Sequence, residues 1–125
     1  MNPLRFFKAL FTSAPRLHPR ECAERVRGGD ALLIDVREPR EWEGGVVEGA
    51  LLLPLTDLTG ARKRWAPFLV TAKDRELLFY CAAGGRSAIA ARVLTAEGCR
   101  AANTGSLSDW AAAGWPIVTP KTDMS

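Results

Sequence analysis

Histidine is nearly absent from this chain: His18 is the only one among 125 residues. That scarcity removes a zinc centre, which draws on clustered His and Cys, and disfavours a Cys–His catalytic dyad. The three cysteines, Cys22, Cys81 and Cys99, form no Cys-x-x-Cys pair. An odd count argues against a disulfide framework, and free thiols suit a reducing compartment, so a cytoplasmic location is expected. No apolar run approaches the ~18 residues of a membrane span. No Lys/Arg-dense stripe is interleaved with aromatics, which argues against nucleic acid as a partner. Internal repeats and low-complexity segments are missing too, and neither a metal nor a cofactor is expected.

What remains is an ordinary globular composition. The chain is 47% hydrophobic and 25% charged, with a net charge of +3. The length fits one domain, and a mild, interleaved positive balance favours small anionic substrates. Residues 1–15 read as an amphipathic N-terminal arm. Arg5 and Lys8 interrupt its apolar residues and leave too short a core for a secretory signal. Such a pattern is more often a docking face, on the domain or a second subunit, than a membrane-surface contact. Residues 16–118 form the domain, and 119–125 a polar, mobile tail.

Within the domain, strands alternate with helices. Arg16-Leu17-His18 reads as a very short strand, and Pro19 opens a helix at its first position. Cys22, Ala23 and Val26 give that helix a packing face, and Gly28-Gly29 close it. Ala31 to Ile34 is a continuous apolar run, as in a strand buried on both faces of a parallel sheet. Asp35 and Arg37 follow at its C-terminal end, where open parallel sheets bind ligands. A local Asp–Arg pair fixing the loop suits these two at least as well as direct chemistry. Pro39 to Glu43 is a helical turn with Trp42 inward. Gly49 to Pro54 is a second buried strand. A helix capped by Thr56 or Asp57 carries Leu58, Ala61, Trp65 and Leu69 in one stripe, leaving Arg62, Lys63 and Arg64 on a solvated face. Glu76 to Tyr80 is the third clear strand. A helix runs from Ser87 to Glu97, with Gly98 just past its end. Cys99 to Asn103 is the last strand, and Ser106 or Ser108 caps a final short helix. The alternation predicts a three-layer α/β domain with a parallel sheet.

The informative stretch is Leu77 to Ser87, where an apolar strand ends at Cys81 and the loop Ala82-Ala83-Gly84-Gly85-Arg86-Ser87 leads into a helix. Gly84 and Gly85 permit the positive φ of a tight curl. Ala82 and Ala83 keep its mouth open. Successive N–H groups can then converge as an anion-binding nest, the helix N-terminus adds its positive end, and Arg86 adds a full charge. All of these favour a thiolate at Cys81, an anion over the sulfur, or a persulfide built on it. The loop's electrostatics can replace a base. Cys22 and Cys99 read as packing residues.

Three segments resemble the single-domain rhodanese (thiosulfate sulfurtransferase) family. They are Leu33 to Pro39 with Glu41-Trp42, Gly49-Ala50 with Pro54, and Cys81-x-x-Gly84-x-Arg86-Ser87. The closing segment from Trp110 to Val118 is similar as well. This resemblance implies a rhodanese-like fold, a five-stranded parallel sheet with helices on both faces. It implies sulfane sulfur transfer: Cys81 takes sulfur from a small anionic donor such as thiosulfate, holds it as a persulfide, and passes it to cyanide, a thiol or a protein acceptor. Ala82 to Ser87 would cradle the sulfur, Arg86 would favour the anionic donor, and Ser87 would cap the helix and donate to the loop. Val46-Val47-Glu48 stands where the family often has His-Ile-Pro, and Thr104-Gly105 where it has Gly-Gly. A non-catalytic interaction or sulfur-carrier module is the first alternative, though such modules commonly lack the cysteine. Phosphatases and arsenate reductases of this fold are the second; their loop resembles Cys-x₅-Arg, one residue longer than the Cys-x₄-Arg here.

Overall fold

The computed structural model describes residues 7–9, 11–72 and 74–120. In chain order the strands are β1 (Ala31–Asp35), β2 (Val46–Val47), β3 (Leu51–Leu52), β4 (Glu76–Cys81), β5 (Ala101–Ser106) and β6 (Ile117–Val118). The main helices are α1 (Pro19–Gly28), α2 (Pro39–Trp42), α3 (Leu55–Leu58), α4 (Trp65–Ala72), α5 (Gly85–Ala96) and α6 (Leu107–Ala112). Strands β3-β1-β4-β5 lie side by side in one parallel sheet, and β2 pairs antiparallel with β6 in a separate ribbon.

The central strands are apolar throughout because both of their faces are covered. Side chains alternate across a strand. Ile34, Leu77 and Phe79 therefore join Leu58, Trp65, Ala90 and Leu94 on the side of α3, α4 and α5. Leu33, Leu78 and Tyr80 join Cys22, Val47 and Trp110 on the side of α1 and α6. The result is the expected three-layer α/β arrangement, with Cys81 at the C-terminal edge of a central strand.

The sheet has four strands rather than five. Arg16-Leu17-His18, expected as a very short strand, contributes only one parallel bridge, between Arg16 and Asn103 beside β5. The Leu17 amide donates to the Asn103 carbonyl at 2.9 Å, and the Asn103 amide to the Pro15 carbonyl at 3.0 Å. Pro15 and Pro19 bracket this segment without amide hydrogens, which limits the ladder. The strand expected over 49–54 contracts to β3. It is an edge strand, and Leu51 is 38% exposed rather than buried on both faces.

The helix expected over 56–69 is two helices, α3 and α4, and Arg62 turns between them with φ at +57°. Asp57 is the cause. Its carboxylate accepts the amides of Lys63, Arg64 and Trp65, each at 2.9 Å. It therefore caps α4, while Pro54 stands at the N-cap of α3. Arg62 accordingly leaves the solvated face expected for it. It is buried, donates from Nε to the Leu58 carbonyl at 2.6 Å, and forks onto the Glu97 carboxylate with both bonds at 2.8 Å. Ser106 does cap α6, its hydroxyl accepting the Asp109 amide at 3.1 Å.

The expected arm and tail lie partly outside the described residues, at 1–6, 10 and 121–125. Of the rest, residues 7–9 are helical, and Ala9 is buried in the same cluster as Trp65. Phe7 and Phe11 are exposed and meet edge to face at 5.2 Å. Among the described residues no helix is long and apolar enough to cross a membrane.

Candidate active site

The site begins where β4 runs out. After Cys81 the chain curls through Gly84, whose φ of +99° favours glycine, and enters α5 at Gly85. The helix starts two residues earlier than the serine suggests, so Ser87 lies inside its first turn. The curl aims donors at the sulfur. The Gly84 amide lies 3.0 Å from Cys81 Sγ, and the Ser87 amide and hydroxyl each lie 3.4 Å from it. Cys81 is 1% exposed, Gly84 and Ser87 are buried, and Ala82, Ala83 and Gly85 face solvent.

Burial by itself would push the Cys81 thiol up. The Ser87 hydroxyl and the amides of Ser87, Ala83 and Gly84 outweigh it, and hold the thiol below its usual range. The other two thiols go the opposite way. Burial pushes Cys22 up to about 11 and raises Cys99. Of the three cysteines, only Cys81 is tuned toward thiolate.

Asn103 was not anticipated, and it organises the loop from β5. Its Oδ1 lies 2.7 Å from the Ser87 hydroxyl and accepts the Gly105 amide at 2.9 Å. Its Nδ2 donates to the Gly84 carbonyl at 3.2 Å. A bulge falls at the same level: β4 advances from Phe79 to Cys81 while β5 advances from Asn103 to Ser106. Gly105, with φ at +90°, fits the extra residue. The only cue in the sequence was an asparagine at the end of an apolar strand.

The Ser87 hydroxyl has one proton and four acceptors within reach: Asn103 Oδ1 at 2.7 Å, the Gly84 carbonyl at 3.2 Å, and Cys81 Sγ and the Gly105 carbonyl at 3.4 Å. Ser87→Ala is expected to raise the Cys81 pKa, so the pH midpoint of iodoacetamide alkylation moves up and labelling at neutral pH slows. An unmoved midpoint would mean that the proton rests on one of the oxygen acceptors, of which Asn103 Oδ1 is the nearest.

Arg86 is not free to face the mouth of the loop. Glu41 of α2 holds it in a two-bonded bridge, at 2.5 and 2.8 Å. The Arg86 hydrogen bond outweighs partial burial and pulls the Glu41 carboxyl down to about 2. Glu41 belongs to the family-like segment that follows β1, and nothing in that segment signals Arg86 as its partner. An unfolded glutamate titrates near ~4.3. The bridge thus contributes stability that is fully present above that value and is lost as pH falls through about 2. Glu41→Gln should cost less than about 1 kcal/mol at neutral pH, because exposed pairs are screened. The gap between wild type and variant in urea midpoint should narrow from pH 6 to pH 2.5. A constant gap would assign the effect to packing.

Asp35 and Arg37 form the loop-fixing pair. Arg37 Nη2 donates to Asp35 Oδ2 at 2.8 Å and to the Gly45 carbonyl at 2.7 Å, and its amide donates to Asp35 Oδ1 at 2.9 Å. Both residues are buried. They tie the end of β1 to the turn before β2, and neither donates to the sulfur. His18 caps α1: its Nδ1 accepts the Arg20 amide at 3.1 Å. Among the described residues no group of His, Cys, Asp or Glu is placed to hold a metal ion.

A strand-end cysteine, a short amide cradle and the start of a helix, set in this sheet order, define a recognisable class of domain. The sequence profile of the rhodanese-like domain matches residues 18–113, and the chain belongs to that family. A protein of Allochromatium vinosum named sulfurtransferase is 38% identical over 94 residues, 74% of this chain and 82% of its own length. The mitochondrial thiosulfate sulfurtransferase RDL2 of Saccharomyces cerevisiae is 28% identical over 134 aligned positions, covering 96% of this chain and 89% of its own. The structure of the human single-domain sulfurtransferase TSTD1 superposes with a TM-score of 0.65 at 28% identity, over 79% of this chain and 96% of its own.

Proposed function

We propose that this domain is a sulfurtransferase that carries sulfane sulfur on Cys81. The single observation behind this reading is the opposite tuning of the thiols: donors converge on Cys81 Sγ alone, while Cys22 and Cys99 are pushed toward the neutral form. The names of the sulfurtransferase relatives support it.

With thiosulfate as donor, the Cys81 thiolate attacks the outer sulfur. A new S–S bond forms on the cysteine, the donor's S–S bond breaks, and its electron pair leaves with sulfite. The persulfide is an anion one atom further out, and the amides of Ala83, Gly84 and Ser87 that hold the thiolate, with their neighbours from Ala82 to Ser87, can cradle it in turn. A nucleophile such as cyanide then takes the outer sulfur and returns the thiolate. No proton transfer is required with these two reactants, which suits a site without a histidine base. The four residues between Cys81 and Arg86 make a tighter ring than a Cys-x₅-Arg loop, matched to one sulfur rather than to a tetrahedral oxyanion.

The test is intact-protein mass spectrometry after exposure to thiosulfate, with peptide mapping. One added sulfur atom on Cys81, removed by cyanide with release of thiocyanate, is the expected result. No added sulfur with any sulfane donor, or phosphate release from an aryl phosphate instead, would overturn the reading.

A further inference from the structure

A dianionic donor approaching a thiolate needs positive charge, and the loop's own arginine is committed elsewhere. The Arg86–Glu41 bridge carries no net charge, and its two short bonds hold the guanidinium fork on the carboxylate. Arg37 is spent in the same way on Asp35.

A third guanidinium stands at the loop. Arg16 comes from the bridge segment beyond β5. A Cβ placed on Gly84 would lie 3.4 Å from Arg16 Nη1, and one placed on Gly105 would lie 3.2 Å from Nη2. The guanidinium therefore rests against the residue whose amide donates to Cys81 Sγ. Arg16 is exposed, and among the described residues its side chain has no ion pair or hydrogen bond. Asp109 is close enough to feel its field. The Asp109 carboxyl is held low first by the Ser106 amide, then by the Ser106 hydroxyl, with Arg16 and His18 contributing less.

Arg16 thus sits beside the N-terminus of α5 and a set of converging amides, with the Asp109 carboxylate nearby but not in a salt bridge with it. An anion in the loop would be held by the amides and the guanidinium together. We propose that Arg16 binds the sulfonate end of the donor at the Cys81 loop, while Arg86 remains a structural partner of Glu41. The inference rests on the sulfurtransferase reading for the identity of the donor, but not for the presence of an anion.

Two measurements on the full chain test it. In the thiosulfate–cyanide assay at constant ionic strength, Arg16→Gln should raise KM for thiosulfate about tenfold, the size of a lost charge-assisted contact. Its kcat should stay within about twofold, the signature of lost ground-state and transition-state binding alike. Independently of turnover, sulfate should protect Cys81 from iodoacetamide, and Arg16→Gln should raise the half-protecting sulfate concentration about tenfold. Arg16→Lys should fall between, since it keeps the charge and loses the fork. Arg75→Gln, just before the opposite end of β4, should match wild type. Absence of sulfate protection in wild type, or an Arg16→Gln protein with unchanged KM and protection, overturns the proposal. Protection without thiosulfate turnover would remove thiosulfate as donor and leave Arg16 as the anion contact. Should Arg16→Gln melt well below wild type, Arg16→Lys carries the comparison, and a Lys variant equal to wild type in both assays overturns the proposal.

Discussion

Cys81→Ala is expected to lose thiosulfate:cyanide transfer by roughly 1,000-fold or more, the scale seen when a covalent nucleophile is removed. Cys22→Ala and Cys99→Ala should remain active. Physics separates the three. A buried cysteine in apolar surroundings behaves as a small hydrophobe, and Cys22 is fully buried beside Leu33 and Trp110. Truncating it removes packing but no donor-stabilised thiolate. The Cys81 variant should also fold, because the change removes only the SH group and leaves a methyl at the rim of the core. Thiocyanate formation and persulfide mass, measured on the same preparations, check this. Retained activity in Cys81→Ala would move the carrier to another thiol.

Arg37→Ala is expected to be the most damaging substitution for stability. Asp35 is 0% and Arg37 6% exposed. The guanidinium satisfies the carboxylate with three bonds of 2.8 to 3.1 Å and spends another on the Gly45 carbonyl. Removing it strands a buried negative charge, which costs about 3–5 kcal/mol in comparable pairs. A smaller loss is expected for the double variant Asp35→Asn/Arg37→Met, which removes both charges and keeps an apolar stem over Tyr80. Urea unfolding of the two variants decides. A double variant as unstable as the single would show that the Gly45 anchor, and not the stranded charge, dominates.

Local chemistry was legible in the sequence. The strand, the cysteine, the glycine curl and the start of a helix are contiguous, and their physics acts over a few residues. What escaped was whatever spans the chain. Glu41 reaches Arg86 across 45 positions, and Asn103 reaches Ser87 across 16. No periodicity encodes such pairings. Arg62 shows a different failure. A single helical period counted from Leu58 to Leu69 ran straight through a break, because Asp57 acts as a cap for the helix that follows rather than for its own. The narrow edge of the sheet was hidden for a simpler reason: two prolines flank a segment whose side chains suggest a strand, but whose backbone has few hydrogens to give.

The wiring of the loop through Asn103 has a bearing on the life history of the thiol. Asn103 and the Gly105 bulge come from β5, a strand later in the chain than the cysteine they support. Until β5 docks, the loop lacks the Asn103 contacts to Ser87 and Gly84 that hold its donors on the Cys81 sulfur. Selective reactivity arrives when β5 docks beside β4. The rate at which an alkylating agent singles out Cys81 is therefore a clock for the last stage of assembly, readable by quenched labelling during refolding.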